Sequence, residues 1–179
     1  SNILNLWNIN FIIIKIFQKI IFNRFKKMEL NKLICAINRL TPEAKPKWGK
    51  MSATQMIWHC KKFIIFYQNE KNYSPTLMTK TLGYMHMFFL RHIIKWDYDK
   101  YPKNTPTLKF FDPARAKDID FENEKKELIE RLKMVNKYSQ KFIINPMHGK
   151  VTRDTFREVV RGHTSFHLKQ FEYFKSLCK

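Results

Sequence analysis

Apolar residues recur at intervals of three and four along most of this 179-residue sequence, and no segment alternates cleanly between apolar and polar residues. The first spacing places apolar side chains on one face of an α-helix, whereas a half-buried strand requires a period of two. Only 4 residues are glycine, which disfavours a many-stranded sandwich, a barrel or a glycine-rich phosphate loop. The sequence therefore predicts an all-α fold, a bundle of four main helices with a short helix before them.

Capping residues and prolines mark the ends of the predicted helices. The short helix, residues 29–40, stops before Pro42, because the residue preceding a proline is pushed out of the α region. Ser52 and Gln55 have the spacing of a capping box, which opens a helix that runs to about Asn69. The remaining helices are predicted over residues 77–98, over residues 121–139 and from a Thr152 cap to about Leu177.

The inward faces of these helices define the predicted core. Residues 145–150 contain a proline and a glycine and are predicted to form a turn before the last helix. The core residues expected from helical spacing are Phe63, Phe66, Leu132, Val160, Phe171 and Phe174.

Residues 1–27 differ from the rest of the chain because they contain five basic and no acidic residues. Lys15 and Lys19 would lie near mid-bilayer, which argues against a membrane span, and the position of the bases after the apolar run argues against a secretory signal. Three interpretations stay open: an interfacial helix on anionic lipid, a hydrophobic helix docked on the domain or a neighbouring chain, and translated upstream sequence with the natural start at Met28. The predicted organisation is this extension followed by one domain, residues 28–179.

The net charge of +19 comes from 34 Lys and Arg residues against 15 Asp and Glu residues. Such a balance is typical of proteins that bind nucleic acid, an anionic membrane surface or an acidic ligand. The chain is also rich in Asn, Ile, Phe and Lys, whose codons are AT-rich, so a genomic codon bias explains the excess without a selected partner. Because the bases are scattered and no nucleic-acid-binding motif is present, nucleic acid is not the predicted partner.

The chain has three widely spaced cysteines, Cys35, Cys60 and Cys178, and no two of them form a CxxC motif. Their number and spacing disfavour a zinc knuckle and a disulfide framework and fit a reducing compartment, which predicts a cytoplasmic location. Association with a membrane is the alternative if residues 1–27 belong to the natural protein.

Three of the 6 histidines are predicted to lie on inward helix faces. His163 and His167 are four residues apart on the last helix, so both imidazoles can reach one point, and His59 faces inward from an early helix. Three neutral imidazoles can bind a divalent metal and leave coordination positions open. An HxxxH pair is a weak motif, so packed core histidines stay the alternative on spacing alone. His86 and His92 are expected to pack or lie at the surface, whereas His148 could approach the mouth of the site.

Two segments resemble the ends of a DinB-like domain. The first runs from Trp48-Gly49-Lys50-Met51-Ser52 to His59, and the second contains residues 146–150 and His163-Thr164-Ser165-Phe166-His167-Leu168-Lys169-Gln170-Phe171. Between Met28 and Phe174 the chain is most similar to an uncharacterised bacterial branch of the DinB/YfiT-like metalloenzymes. The resemblance implies a four-helix bundle with a three-histidine metal site, whose ligands fall on His59, His163 and His167. Asn145 and Phe166 depart from the branch, which commonly has histidine at both positions.

The resemblance favours a metal-dependent enzyme, a thiol-dependent transferase or a hydrolase, acting on a small-molecule substrate such as a thiol. The ion would be zinc, nickel, iron or manganese, because nitrogen-rich sites accept several metals. Helical bundles of this type often pair, so a homodimer is an expectation. The alternatives are a non-catalytic helical binding module and a basic protein that associates with nucleic acid or a membrane surface.

We predict that residues 28–179 fold without residues 1–27, since the apolar faces of the predicted helices all lie after Met28. A truncated protein should be soluble and should give the same near-ultraviolet circular dichroism as the full chain. If only the truncated protein aggregates, the leading segment is part of the core.

Overall fold

The structure, a computed structural model, describes residues 30–74 and 76–171. These residues contain helices α1 (residues 30–39), α2 (Ala53–Tyr67), α3 (Leu77–Phe88), α4 (Phe121–Lys137) and α5 (Arg153–Lys169). Strands β1 (Phe142–Asn145) and β2 (Gly149–Thr152) lie between α4 and α5. The expectations for residues 1–27 and for Phe174 lie outside the described residues.

The prediction of an all-α fold is wrong, because β1 and β2 form a two-stranded antiparallel sheet. Phe142 pairs with Thr152, and Asn145 pairs with Gly149 across the turn. Along β1 burial alternates, since Phe142 and Ile144 are exposed whereas Ile143 and Asn145 are buried. The three consecutive apolar residues that begin this strand conceal its period of two, and four residues are too few for a pattern to emerge.

Helix α2 lies at the centre of the fold and packs against α4, α5 and the 3-10 segments Lys109–Phe111 and Pro113–Arg115. Its predicted capping box is confirmed, since Ser52 Oγ accepts from the Gln55 amide at 3.2 Å and Gln55 Oε1 accepts from the Ser52 amide at 2.9 Å. Lys61 is buried on α2 and donates to carboxylates of two α4 residues, at 2.6 Å to Glu124 and 2.9 Å to Glu127. This ion pair joins the two helices.

Two predicted helices end earlier than expected. The helix predicted over residues 77–98 is α-helical to Phe88 and continues as a π-helix over Phe89–Ile93. The chain then turns at Lys95 and Trp96, which both adopt positive φ angles. Helix α5 ends at Lys169 with Gln170 as its C-cap, and the predicted continuation beyond Phe171 lies outside the described residues.

The predicted core is confirmed for all of its described members. These residues are 4% exposed or less: Phe63, Phe66, Leu132, Val160 and Phe171. Exposed apolar side chains lie along α3, where Tyr84 is 77% exposed and Met85 is 61% exposed. No described helix combines the length and the apolar character that crossing a membrane requires.

Cys60 on α2 is a free, buried thiol.

Replacing Phe171 with Ala should lower the free energy of unfolding by about 3–5 kcal/mol, because the change removes buried apolar area and leaves a cavity. Phe171 is 2% exposed and lies two residues after the end of α5. Urea denaturation measures the loss, and Phe88→Ala, at a side chain that is 51% exposed, is the matched control. A loss below about 1 kcal/mol for Phe171→Ala would contradict its place in the core.

Candidate metal centre

His59 on α2 meets His163 and His167 on α5 inside the fold. One ring nitrogen of each residue lies within 4.8 Å of the others, and the Nε2 atoms of His59 and His163 are 3.2 Å apart. The four-residue spacing on α5 places both of its rings on the face that packs against α2. The structure thus brings together the three histidines that the sequence singled out, as a group that could hold a metal ion.

Oxygen acceptors determine which nitrogen is protonated in two of these rings. His59 Nδ1 lies 2.6 Å from the carbonyl oxygen of Phe111, and His167 Nδ1 lies 3.3 Å from Oε1 of Gln170. Because these oxygens can only accept, each Nδ1 carries the proton and donates. Each neutral ring therefore presents a bare Nε2, the atom with which it can bind a metal.

Gln170 holds this arrangement by joining two distant parts of the chain. Its Nε2 donates to the carbonyl oxygen of Trp48 at 2.6 Å, which orients the side-chain oxygen toward His167. Gly49 has a φ of 77°, and a Cβ atom there would lie 2.6 Å from Gln170 Nε2. The tryptophan–glycine segment and the histidine segment therefore meet directly at the site, and Gln170 is a positioning residue that sequence reasoning missed. Its place three residues after His167 is the signal that could have revealed it.

Stacking orients the third ring. His163 lies parallel to Phe63, with ring centroids 3.9 Å apart and an interplanar angle of 13°. Its buried Nδ1 has no hydrogen-bond partner among the described residues. The position of His163 is thus set by packing and not by a hydrogen bond to Nδ1.

Burial keeps the three histidines neutral. It lowers the pKa of His59 to about 4 and the pKa of His167 to about 3. The pKa of His163 lies well below its usual value, because burial and the neighbouring His167 and His59 both oppose a positive charge. At neutral pH all three rings are in the form that binds metals.

The histidines line a cavity of 410 Å³, a volume within the range of small-molecule sites. Its walls are mainly apolar, with Lys50 and Asp112 as the charged residues that line it. Phe166 also lines the cavity, and its ring packs on Trp48 and Tyr101. The arrangement suits a small, largely apolar molecule with one group directed at the histidines.

Of the other described histidines, His92 lies where the sequence predicted, whereas His86 and His148 form a contact that was not expected. His92 is exposed, as expected. His86 and His148 are hydrogen-bonded to each other, with 3.0 Å between His86 Nδ1 and His148 Nε2. His86 lines the 410 Å³ cavity, whereas His148 lines a second cavity. Sequence reasoning missed this pair because its members come from distant segments.

Asn145 occupies a position where the DinB-like branch described above commonly has histidine. In this chain its side chain shapes the turn between β1 and β2. Its side-chain oxygen accepts from the amides of Met147 and His148, and its Nδ2 donates to the Gly149 carbonyl. These bonds within the turn place His148 against α3.

Acid should destabilise the folded protein between about pH 6.5 and pH 4. Burial lowers the pKa of His86 to about 4 and that of His148 to about 3, whereas a histidine in the unfolded chain binds its proton near pH 6.5. Below pH 6.5 the unfolded state binds more protons, so the free energy of unfolding falls with pH.

Urea denaturation at several pH values measures this dependence. His148→Gln should reduce the slope of unfolding free energy against pH by up to about 1.4 kcal/mol per unit, and exposed His92→Gln is the control. An unchanged slope in His148→Gln would show that folding does not shift the pKa of His148.

A family model described as a protein of unknown function (DUF1569) matches residues 23–173. This span contains every described helix and both strands, together with the three histidines of the site. No curated protein and no solved structure matches the chain. Because the family model covers most of the sequence, the chain belongs to the DUF1569 family.

Proposed function

We propose that this protein is a metal-dependent enzyme related to the DinB-like metalloenzymes, with His59, His163 and His167 as the ligands of a divalent ion. The observation that carries the proposal is the meeting of three buried, neutral imidazoles, one ring nitrogen of each lying within 4.8 Å of the others. Neutral imidazole nitrogens are the atoms with which histidine binds a metal ion.

The donor set fits such an ion. With a metal–nitrogen bond of 2.0–2.1 Å, two ligands at a tetrahedral angle lie about 3.3 Å apart, close to the 3.2 Å between His59 and His163. Two of the three rings have the other nitrogen bonded to an oxygen, the arrangement that usually orients metal-binding histidines. Zinc, nickel, iron and manganese are the candidates.

A divalent ion held by His59, His163 and His167 would supply a Lewis acid that lowers the pKa of a bound water or thiol. The protein's own residues bind and orient the substrate in the 410 Å³ cavity, whose walls are mainly apolar. Three neutral nitrogens leave the double charge of the ion uncompensated, which favours an anionic group such as a thiolate. We therefore infer a transferase or hydrolase that acts on a small molecule, with a thiol as substrate or co-substrate.

A ligand-binding module without catalysis is the second candidate, and the apolar walls of the cavity favour it. Such a module needs the cavity but not the metal. Metal content therefore separates the two functions.

Metal analysis of protein refolded with each ion and then dialysed tests the proposal. The wild-type chain should retain about one ion, whereas His163→Ala should lose it because one of three ligands is missing. Gln170→Ala should weaken zinc binding by about 10–100-fold, since His167 loses the oxygen that orients it.

His92→Ala is the matched control, because His92 is exposed and lies outside the site. Circular dichroism of each variant confirms that it is folded. The proposal fails if the wild-type chain retains none of the four ions.

A further inference from the structure

Helix α3 carries large apolar side chains on the side that faces away from the fold. Leu77, Tyr84 and Phe88 are spaced by seven and four residues, so they lie along one side of the helix. Met85 lies beside them, whereas Gly83 on the opposite side is buried. We call the outward set the apolar stripe, and its members are all more than half exposed: Leu77, Tyr84, Met85 and Phe88.

The apolar stripe is large for a surface that touches only water. From their exposed fractions, the four side chains present about 500 Å², the size of the largest apolar patch on a typical monomeric protein, and such patches are often functional. A helix that is apolar on both sides usually has a second partner besides the core. No other described element packs over the stripe, because its side chains are exposed.

Three basic residues border the apolar stripe. Lys80 on α3, Arg91 on the following π-helix and Lys150 on β2 line the second cavity, of 480 Å³, together with Tyr84 and Phe88. None of the described residues that line this cavity is acidic, and residues 71–96 and 141–152 contain no Asp or Glu. Within the described part of the chain, no carboxylate pairs with any of the three bases. The stripe is therefore bordered by uncompensated positive charge.

This charge determines which partner the stripe fits. A second copy of the chain would bring the bases of two stripes together without a carboxylate between them, and juxtaposed like charges oppose binding. Residues 1–27 carry five bases and no acid, so they meet the same repulsion. Nucleic acid offers phosphates to the bases but leaves the apolar stripe without a partner. An anionic bilayer offers both anionic headgroups and an apolar interior.

We propose that the outward side of α3 is a docking surface for an anionic phospholipid bilayer, with the helix lying in the plane of the membrane. The apolar stripe enters the boundary between headgroups and acyl chains, where the amphipathic ring of Tyr84 suits the headgroup level. The three bases at the second cavity bind lipid phosphate and carboxylate groups, with their flexible stems along the apolar surface. The docking surface is separate from the three histidines and needs no bound metal.

Co-sedimentation of the full chain with phospholipid vesicles tests this surface. The wild type should bind phosphatidylcholine vesicles that contain about 30% phosphatidylserine, because the bases are attracted to the anionic lipid. Vesicles of phosphatidylcholine alone should bind it more weakly. Added salt should weaken binding to the anionic vesicles, since it screens exposed charges.

Two double variants separate the apolar contact from the charge. The apolar variant, Tyr84→Ser with Met85→Ser, should bind anionic vesicles at least about 10-fold more weakly, because two apolar side chains no longer leave water. The charge variant, Lys80→Gln with Arg91→Gln, should bind about 30-fold more weakly, since each base near an anionic surface contributes about five-fold. All four side chains are exposed, so circular dichroism should show that both variants are folded.

Matched controls lie on α4. Met134→Ser replaces a methionine that is 57% exposed, and Lys126→Gln with Lys137→Gln removes two exposed bases. Both control proteins should bind anionic vesicles as the wild type does. The second control has the same net charge as the charge variant, so it separates the position of the bases from their number.

Nuclear magnetic resonance of methionine methyl groups identifies the contact directly. In phosphatidylcholine and phosphatidylserine bicelles that contain a spin-labelled lipid, the Met85 signal of the full chain should broaden, because the spin label lies close to it. The Met134 signal should stay sharp. Residues 1–27 contain no methionine, so this readout reports on the folded domain.

The docking surface is refuted if the wild type does not bind the anionic vesicles, if either double variant binds them as tightly as the wild type, or if Met134 broadens and Met85 does not. A wild-type dimer that the apolar variant loses, without vesicle binding, would assign the stripe to a second copy of the chain and overturn the proposal. Binding to duplex DNA that only the charge variant loses, again without vesicle binding, would assign the bases to nucleic acid and also overturn it.

Discussion

Two hydrogen bonds to oxygens that can only accept determine the chemistry of the 410 Å³ cavity that the three histidines line. The Phe111 carbonyl and the Gln170 amide oxygen each take the Nδ1 proton of a histidine, which leaves two bare nitrogens inside an apolar wall. Desolvation prevents these rings from becoming charged. Together with His163 they form a group whose ring nitrogens lie within 4.8 Å of one another and could hold a metal ion.

The same cavity is bordered by a second group of histidines with a different arrangement. His86 and His148 bond to each other, and tyrosine hydroxyls occupy their remaining nitrogens. A hydroxyl both donates and accepts, so these tautomers can change, whereas the tautomers of His59 and His167 cannot. The two groups therefore differ in whether the hydrogen-bond partners fix the position of the ring proton.

Much of the fold and the site could be read from the sequence because the signals are local. The capping box at Ser52, the helical spacing of the core phenylalanines and the four-residue spacing of His163 and His167 each depend on a single helix. The short strand β1 was missed because its alternation extends over four residues only. The early end of α3 was missed because the apolar pattern continues past Phe88, where the helix changes to a π-helix.

The amino-acid order was sufficient to identify the three histidines and the helix faces that hold them, because helical periodicity relates spacing in sequence to direction in space. Only the folded chain brings Gln170 to Trp48 and His86 to His148, pairs that are separated by more than sixty residues. These contacts depend on how helices, hairpin and loops pack, and single glycines at positions 49 and 83 admit the required close approach. Packing over such distances leaves no period in the sequence, so the residues that position and connect the site became visible only in the tertiary structure.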